Sequence, residues 1–139
     1  MRQKWLSAVV AVLLVLVAGF LIAQRLIPVK PEALMPEGYC PEQGWVMNTF
    51  EWDESVELTQ EQLQTLLTHL DALEYRYDGR TPGGVMEGIL YHLYFFRSAE
   101  NGSFSMFVSK QLGAVYVEEK VYEMLGDTKP LLTFLDQLN

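Results

Sequence analysis

Two groups of carboxylates are the residues in this sequence whose types and spacing could support catalysis. A pair of acids about 5–10 Å apart can hydrolyse a glycosidic bond, one acting as general acid and the other as nucleophile or base. A small hydrolase would draw that pair from residues such as Glu51, Asp53 or Glu118. Clustered acids, however, lie more often in solvated turns. The first group is Glu51, Asp53, Glu54 and Glu57, and the second group is Glu118, Glu119 and Glu123.

The other reactive residue types form no recognisable catalytic or metal-binding set. His69 and His92 lack the spacing of zinc ligands, which must converge in threes or fours. No serine lies in a G-x-S-x-G turn, and the first acidic group does not match a calcium loop. Cys40 is the single cysteine, so the chain has no second thiol for an internal disulfide or a cysteine-based metal site. The sequence therefore predicts no catalytic residue, no metal and no cofactor.

An aromatic segment, Tyr91 to Lys110, suggests a binding surface instead. It predicts two strands, Ile89–Arg97 and Ser103–Ser109, joined by a turn at residues 98–102 that contains an Asn-Gly pair. Successive side chains point to opposite faces of a strand, and the first of these strands is apolar or aromatic on both faces. One face must meet the core, and the other predicts a partner-binding surface composed of His92, Tyr94, Phe96 and Phe107. The alternative is that the N-terminal strand, the linker or a loop covers this second face.

The elements that must position these residues have local signals of their own. Aromatic and β-branched residues predict a first strand at Trp45–Asp53, with further strands at residues 74–78 and in a tight hairpin at 114–125. A capping box opens a helix at Thr59, and Asp127 or Thr128 can cap a last helix. Residues 79–88 contain four glycines and predict a loop, but the lysine of a phosphate-binding loop is missing.

The order of these elements predicts an α+β domain. Both helices carry an apolar stripe that must be buried, and the sheet is the surface that can bury it. We therefore expect an antiparallel sheet of about five or six strands with two helices on one face. The stripes are Leu63, Leu66, Leu67, Leu70 and Leu73 in the first helix, and Leu131, Phe134, Leu135 and Leu138 in the second.

The N-terminus indicates where the protein lies. Trp5–Ala23 contains 19 residues and no charge, which as a helix matches the roughly 30 Å hydrocarbon core of a bilayer. A cleaved signal peptide, giving a secreted form, is the alternative, although its apolar region is usually shorter. We expect an uncleaved single-pass signal-anchor at residues 1–27, with the N-terminus in the cytoplasm and the C-terminal domain outside the membrane.

A proline-rich segment follows the anchor. Residues 28–44 contain four of the six prolines, which prevent a continuous helix and favour extended backbone. This segment is predicted to be a linker that spaces the extracytoplasmic domain, residues 45–139, from the bilayer.

The charge of the chain disfavours one class of partner. From Pro31 onward the chain has 18 acidic and six basic residues, a net charge of −12. Nucleic acids and anionic headgroups are recognised by clusters of Lys and Arg. Nucleic-acid binding is therefore not expected.

Four segments together resemble a known group of domains. The segments are SVELTQEQLQTLLTHLDALEYRY, YHLYFF, VYVEEKVYEML and LLTFLDQL. They are similar to small, largely uncharacterised extracytoplasmic domains of membrane-anchored proteins and lipoproteins of Gram-positive bacteria, over about Val46 to Leu138. The resemblance implies an envelope location and an α+β architecture, but it brings no catalytic residues, and the lipid-attachment cysteine of the lipoproteins is missing. With the anchor, it favours a non-enzymatic module that binds an envelope protein or a small ligand, with the hydrolase as the alternative.

Overall fold

The computed structural model describes residues 2–36, 39–49, 51–78, 90–98 and 102–138. The glycine-rich loop predicted at 79–88 and most of the turn predicted at 98–102, including Asn101, lie outside these residues. A short 3₁₀ helix lies at Pro31–Ala33. The other elements of the described chain are α1 (Arg2–Leu26), β1 (Gln43–Asn48), β2 (Val56–Glu57), α2 (Gln60–Asp71), β3 (Glu74–Tyr77), β4 (Leu90–Phe96), β5 (Ser103–Ser109), β6 (Ala114–Val117), β7 (Lys120–Leu125) and α3 (Lys129–Asp136).

The strands form one antiparallel sheet, which confirms the predicted α+β class. Their order in the sheet is β2-β1-β4-β5-β6-β7-β3. The predicted number of five or six strands is wrong, because the described chain contributes seven. The strand that the sequence did not reveal is β2, which has only two residues and therefore no readable alternation. It pairs with Trp45 and Val46 of β1.

Helices α2 and α3 pack on one face of the sheet, called the inner face here. The predicted capping box is present, since the Thr59 hydroxyl accepts from the Gln62 amide and the Gln62 side chain accepts from the Thr59 amide. Three leucines of α2 and two of α3 are buried with alternate residues of the central strands, and Leu67 and Leu132 are partly buried against them. This core includes Leu63, Leu66, Leu70, Leu131 and Leu135 from the helices, and Tyr91, Leu93, Phe95, Met106, Val108, Val115 and Val117 from β4, β5 and β6.

Three polar side chains attach the end of α3 to the sheet. Tyr91 donates a hydrogen bond to one carboxylate oxygen of Asp136, and the Lys110 ammonium lies 2.8 Å from the other. Burial, followed by the hydrogen bond to Asp136, raises the pKa of Tyr91 far above its usual value, so its hydroxyl remains a donor. Burial alone would raise the pKa of Asp136, but the hydrogen bonds from Lys110 and Tyr91 and the charge of Lys110 lower it below its usual value.

This arrangement predicts how acid affects stability. Because the folded-state pKa of Asp136 is lowered, its contribution is present above the unfolded pKa of about 3.9 and is lost as pH falls through the folded value. The carboxylate is partly exposed, so Asp136→Asn should cost only about 0.5–1 kcal/mol at pH 7. Urea unfolding between pH 2 and 7 would measure this. If Asp136→Asn lost stability with falling pH as steeply as the unmodified protein does, the stabilising role of the Asp136 carboxylate would be contradicted.

The predicted linker contacts the domain along much of its length. Val29 forms a two-residue bridge with Tyr75 on the free edge of β3, with hydrogen bonds of 2.7 and 2.9 Å. Leu34 and Tyr39 are buried in the inner-face core. The segment is therefore packed against the sheet and α2 at these points, and α1 ends only three residues before Val29.

Candidate interaction surface

The face of the sheet opposite α2 and α3, called the outer face, contains the four residues predicted as a binding surface. His92, Tyr94 and Phe96 alternate with the buried Tyr91, Leu93 and Phe95 along β4. Phe107 lies directly opposite His92 in the β4–β5 register. The structure thus brings His92, Tyr94, Phe96 and Phe107 to one side of two neighbouring central strands.

Strand β1 adds two residues to this surface that sequence reasoning missed. Trp45 is paired with Tyr94, and Met47 is paired with His92. The alternation of Trp45 and Met47 with Val46 and Asn48 was visible in the sequence, but nothing in it showed that β1 would lie beside β4. We call the six side chains Trp45, Met47, His92, Tyr94, Phe96 and Phe107 the aromatic patch.

Ring contacts organise the aromatic patch while leaving it accessible. The His92 and Phe107 rings are stacked, with centroids 4.3 Å apart and planes 10° apart. Trp45 and Tyr94 lie 5.6 Å apart in a tilted arrangement. Tyr94 and Phe96 each retain 38% exposure, and the other four are partly buried. Exposed large apolar side chains that lie together on one surface are typical of interaction sites.

The outer face is not uniformly open. Towards β6 and β7, a second cluster of Leu90, Ala114, Tyr116 and Val121 is buried, with Phe107 packed against it. The accessible aromatic side chains are therefore concentrated over β1, β4 and β5. Serines lie among them, since Ser105 is opposite Tyr94 and Ser103 is opposite Phe96. Of the segments that could cover this face, β1 lies within the sheet itself, Leu34 and Tyr39 of the linker are buried in the inner-face core, and the loop predicted at 79–88 lies outside the described residues.

The stacked histidine is held in its neutral form. Burial lowers the pKa of His92 below its ordinary value, so at neutral pH the aromatic patch carries an uncharged imidazole against the Phe107 ring. Neutral imidazole can stack without the desolvation cost of a cation. An apolar partner would therefore meet this surface at neutral pH without having to bury a charge at position 92.

Titration of His92 gives a second pH prediction. Its folded pKa is below the unfolded value of about 6.5, so the unfolded chain takes up the proton first and stability falls as pH drops below about 6.5. His92→Gln should therefore make the free energy of unfolding less dependent on pH between pH 7 and 5. Urea midpoints measured across that range would give the dependence of stability on pH. The matched control is His69→Gln, because His69 lies on the helix side, where its ring contacts Phe134. An unchanged slope in His92→Gln would contradict the prediction.

The two clusters of acidic residues do not lie close enough together for a hydrolase that takes one catalytic carboxylate from each cluster. The order of strands puts three strand spacings, about 14 Å, between β1 and β6. Asn48, at the end of β1, is level with the start of β6 through Tyr91, Val108 and Val115, whereas Glu118 follows the end of β6. Glu51 and Asp53 are thus remote from Glu118, beyond the roughly 5–10 Å that a catalytic pair needs.

Local roles explain some of these acids. Glu51 is hydrogen-bonded to Asn48 at the end of β1. The backbone N–H of Glu51 donates to Oδ1 of Asn48 at 3.1 Å, and Nδ2 of Asn48 donates to the Glu51 carboxylate at 3.4 Å. Glu118 occupies the β6–β7 turn with φ of 56°. Within the described residues, no group of three or more His, Cys, Asp and Glu side chains is placed to hold a metal ion.

Comparison with known proteins adds no family to these observations. No family model matches the chain, and no curated protein or solved structure is significantly similar to it. The resemblance to extracytoplasmic domains of Gram-positive bacteria therefore stays a prediction.

Proposed function

We propose that this protein is a membrane-tethered extracytoplasmic module that binds a partner at the cell envelope without catalysing a reaction. The observation that carries the proposal is the aromatic patch, which is accessible although the opposite face of the same strands is completely buried. Cross-strand ring pairs contribute only about 0.2–1 kcal/mol each to a sheet, and that contribution does not require large rings to stay accessible together on one surface, which is typical of interaction sites. Binding gives those rings a use.

The N-terminal helix supports the tether. Arg2–Ala23 is long and apolar enough to cross a membrane, its most apolar 18-residue window has a mean hydropathy of 3.0, and none of that window is buried. A signal sequence has the same properties, so the anchor and its orientation are part of the proposal. In the proposed topology the N-terminus is cytoplasmic and the domain faces outward, where Cys40 is exposed. A membrane-impermeant thiol reagent should label Cys40 in intact cells. Labelling of Cys40 only after cell lysis would contradict the proposed topology.

Site-specific crosslinking tests the binding role. A photoreactive amino acid replaces Tyr94 in the full-length protein, and the same amino acid replaces Thr133, exposed on α3, as matched control. The proposal expects a discrete adduct in membranes from position 94 that is absent from position 133. The adduct should also disappear when Phe96→Ser is added, since Phe96 belongs to the same surface. Identical products from both positions, or none from position 94, would refute the proposed surface.

A further inference from the structure

A groove lies between the segment that follows α1 and the surface of α2, on the helix side of the molecule. Its volume is about 310 Å³, which is within the size range of small-molecule sites. Met35, Tyr39, Leu67 and Leu70 provide apolar walls, so the linker supplies one side and α2 the other. The groove is separate from the aromatic patch, which lies on the opposite face of the sheet.

The charged groups among the described lining residues of the groove all have one sign. Glu32 and Asp71 line it, and neither lysine nor arginine is among its described lining residues. Both carboxylates are exposed, and neither forms an ion pair within the described part of the chain. Such a site is complementary to a ligand that combines an apolar body with a positive charge, and it disfavours an anionic amphiphile of the same size.

The position of the groove points to where its ligand comes from. Pro31, which also lines it, is five positions beyond the end of α1, a distance of at most about 18 Å along the chain. If α1 spans a bilayer, as proposed above, the groove lies close to the membrane surface. Amphiphilic molecules concentrate there, because the interface accepts both their apolar and their polar parts.

We propose that this groove binds a small cationic amphiphile, with its apolar part against Met35 and Leu67 and its ammonium or guanidinium group at Glu32 and Asp71. Only the membrane source of the ligand rests on the proposed tether. The site itself depends on the walls and charges of the groove.

Cys40 makes the proposal measurable, because it lines the groove, is exposed and is the single cysteine of the chain. The full-length protein in phosphatidylcholine nanodiscs is treated with N-ethylmaleimide, and the rate of alkylation is normalised to that of free glutathione. Octylammonium, octanol and octanoate are compared at equal concentration. Octylammonium should slow alkylation at least threefold, while octanoate has little effect and octanol an intermediate one.

Charge-neutralising variants separate a built site from general partitioning. Glu32→Gln with Asp71→Asn should raise the half-protecting concentration of octylammonium about three- to tenfold, the range for two exposed ion pairs. Glu54→Gln with Glu119→Gln removes two exposed acids outside the groove and should leave it unchanged. Equal protection by all three compounds, no protection by octylammonium, or equal effects of the two double variants would overturn the proposal. These outcomes are independent of crosslinking at position 94.

Discussion

Replacing Leu93 with Ala should lower the free energy of unfolding by about 2–5 kcal/mol. Leu93 is fully buried and lies in β4, one of the central strands. It is paired with Val46 on one side and Met106 on the other, so the cavity would open between three core strands. Backbone that is hydrogen-bonded on both sides cannot easily collapse into a cavity, which places the cost in the upper half of that range.

The next residue along the same strand provides the matched control. Tyr94 points to the outer face and is exposed, so Tyr94→Ser should cost less than about 1 kcal/mol. Urea unfolding of the full-length protein in micelles, followed by tryptophan fluorescence, measures both variants. Partner crosslinking from a photoreactive amino acid at position 96 should rank the two variants the other way. The proposed function expects Tyr94→Ser to weaken this crosslinking more than Leu93→Ala does. Similar stability losses in the two variants would contradict the assignment of core and open faces.

Local patterns explain why much of this fold was predictable. The capping box at Thr59 and the leucine spacing of α2 depend on residues within one or two helical turns, where spacing determines which side chains share a face. The tight hairpin predicted at residues 114–125 is present as β6 and β7, which Glu118 and Glu119 connect. Elements whose information lies within a few residues can be read from one sequence.

Contacts between distant segments explain most of what was missed. Strand β2 has two residues, and its assignment depends on pairing with Trp45 and Val46. The predicted first strand extended to Asp53, but β1 ends at Asn48, whose side chain bonds the Glu51 amide. The prolines of the linker indicated extended backbone correctly near Val29, but they gave no sign that Leu34 and Tyr39 enter the core.

The candidate surface shows the same division. Alternation along β4 was enough to group His92, Tyr94 and Phe96, because side-chain direction in a strand has a period of two residues. The contribution of Trp45 could be predicted only from the order of strands, since β1 and β4 are separated in the chain by β2, α2 and β3 but are adjacent in the sheet. The same strand order keeps Glu118 away from Glu51, which the sequence alone could not establish.

Two arginines in the middle of α1 should abolish retention in the membrane. Val12→Arg with Leu16→Arg places both charges at one face of a segment that contains no charge from Trp5 to Ala23. Each arginine costs about 2.5–3.5 kcal/mol near the centre of a spanning helix, so the pair opposes insertion by roughly 5–7 kcal/mol. The control variant Val12→Leu with Leu16→Val preserves the apolar character and should remain in alkali-washed membranes as the unmodified protein does.

The mass of the retained chain distinguishes an anchor from a signal sequence, since both would be disabled by the arginines. An anchor leaves residues 1–27 attached to the domain, and intact-mass spectrometry of the washed membranes should find the full chain. A shortened chain in the soluble fraction would exclude the tether. The Val29–Tyr75 bridge would then lie near a new N-terminus, and the groove beside α2 would lose its proximity to a bilayer but keep its acidic rim.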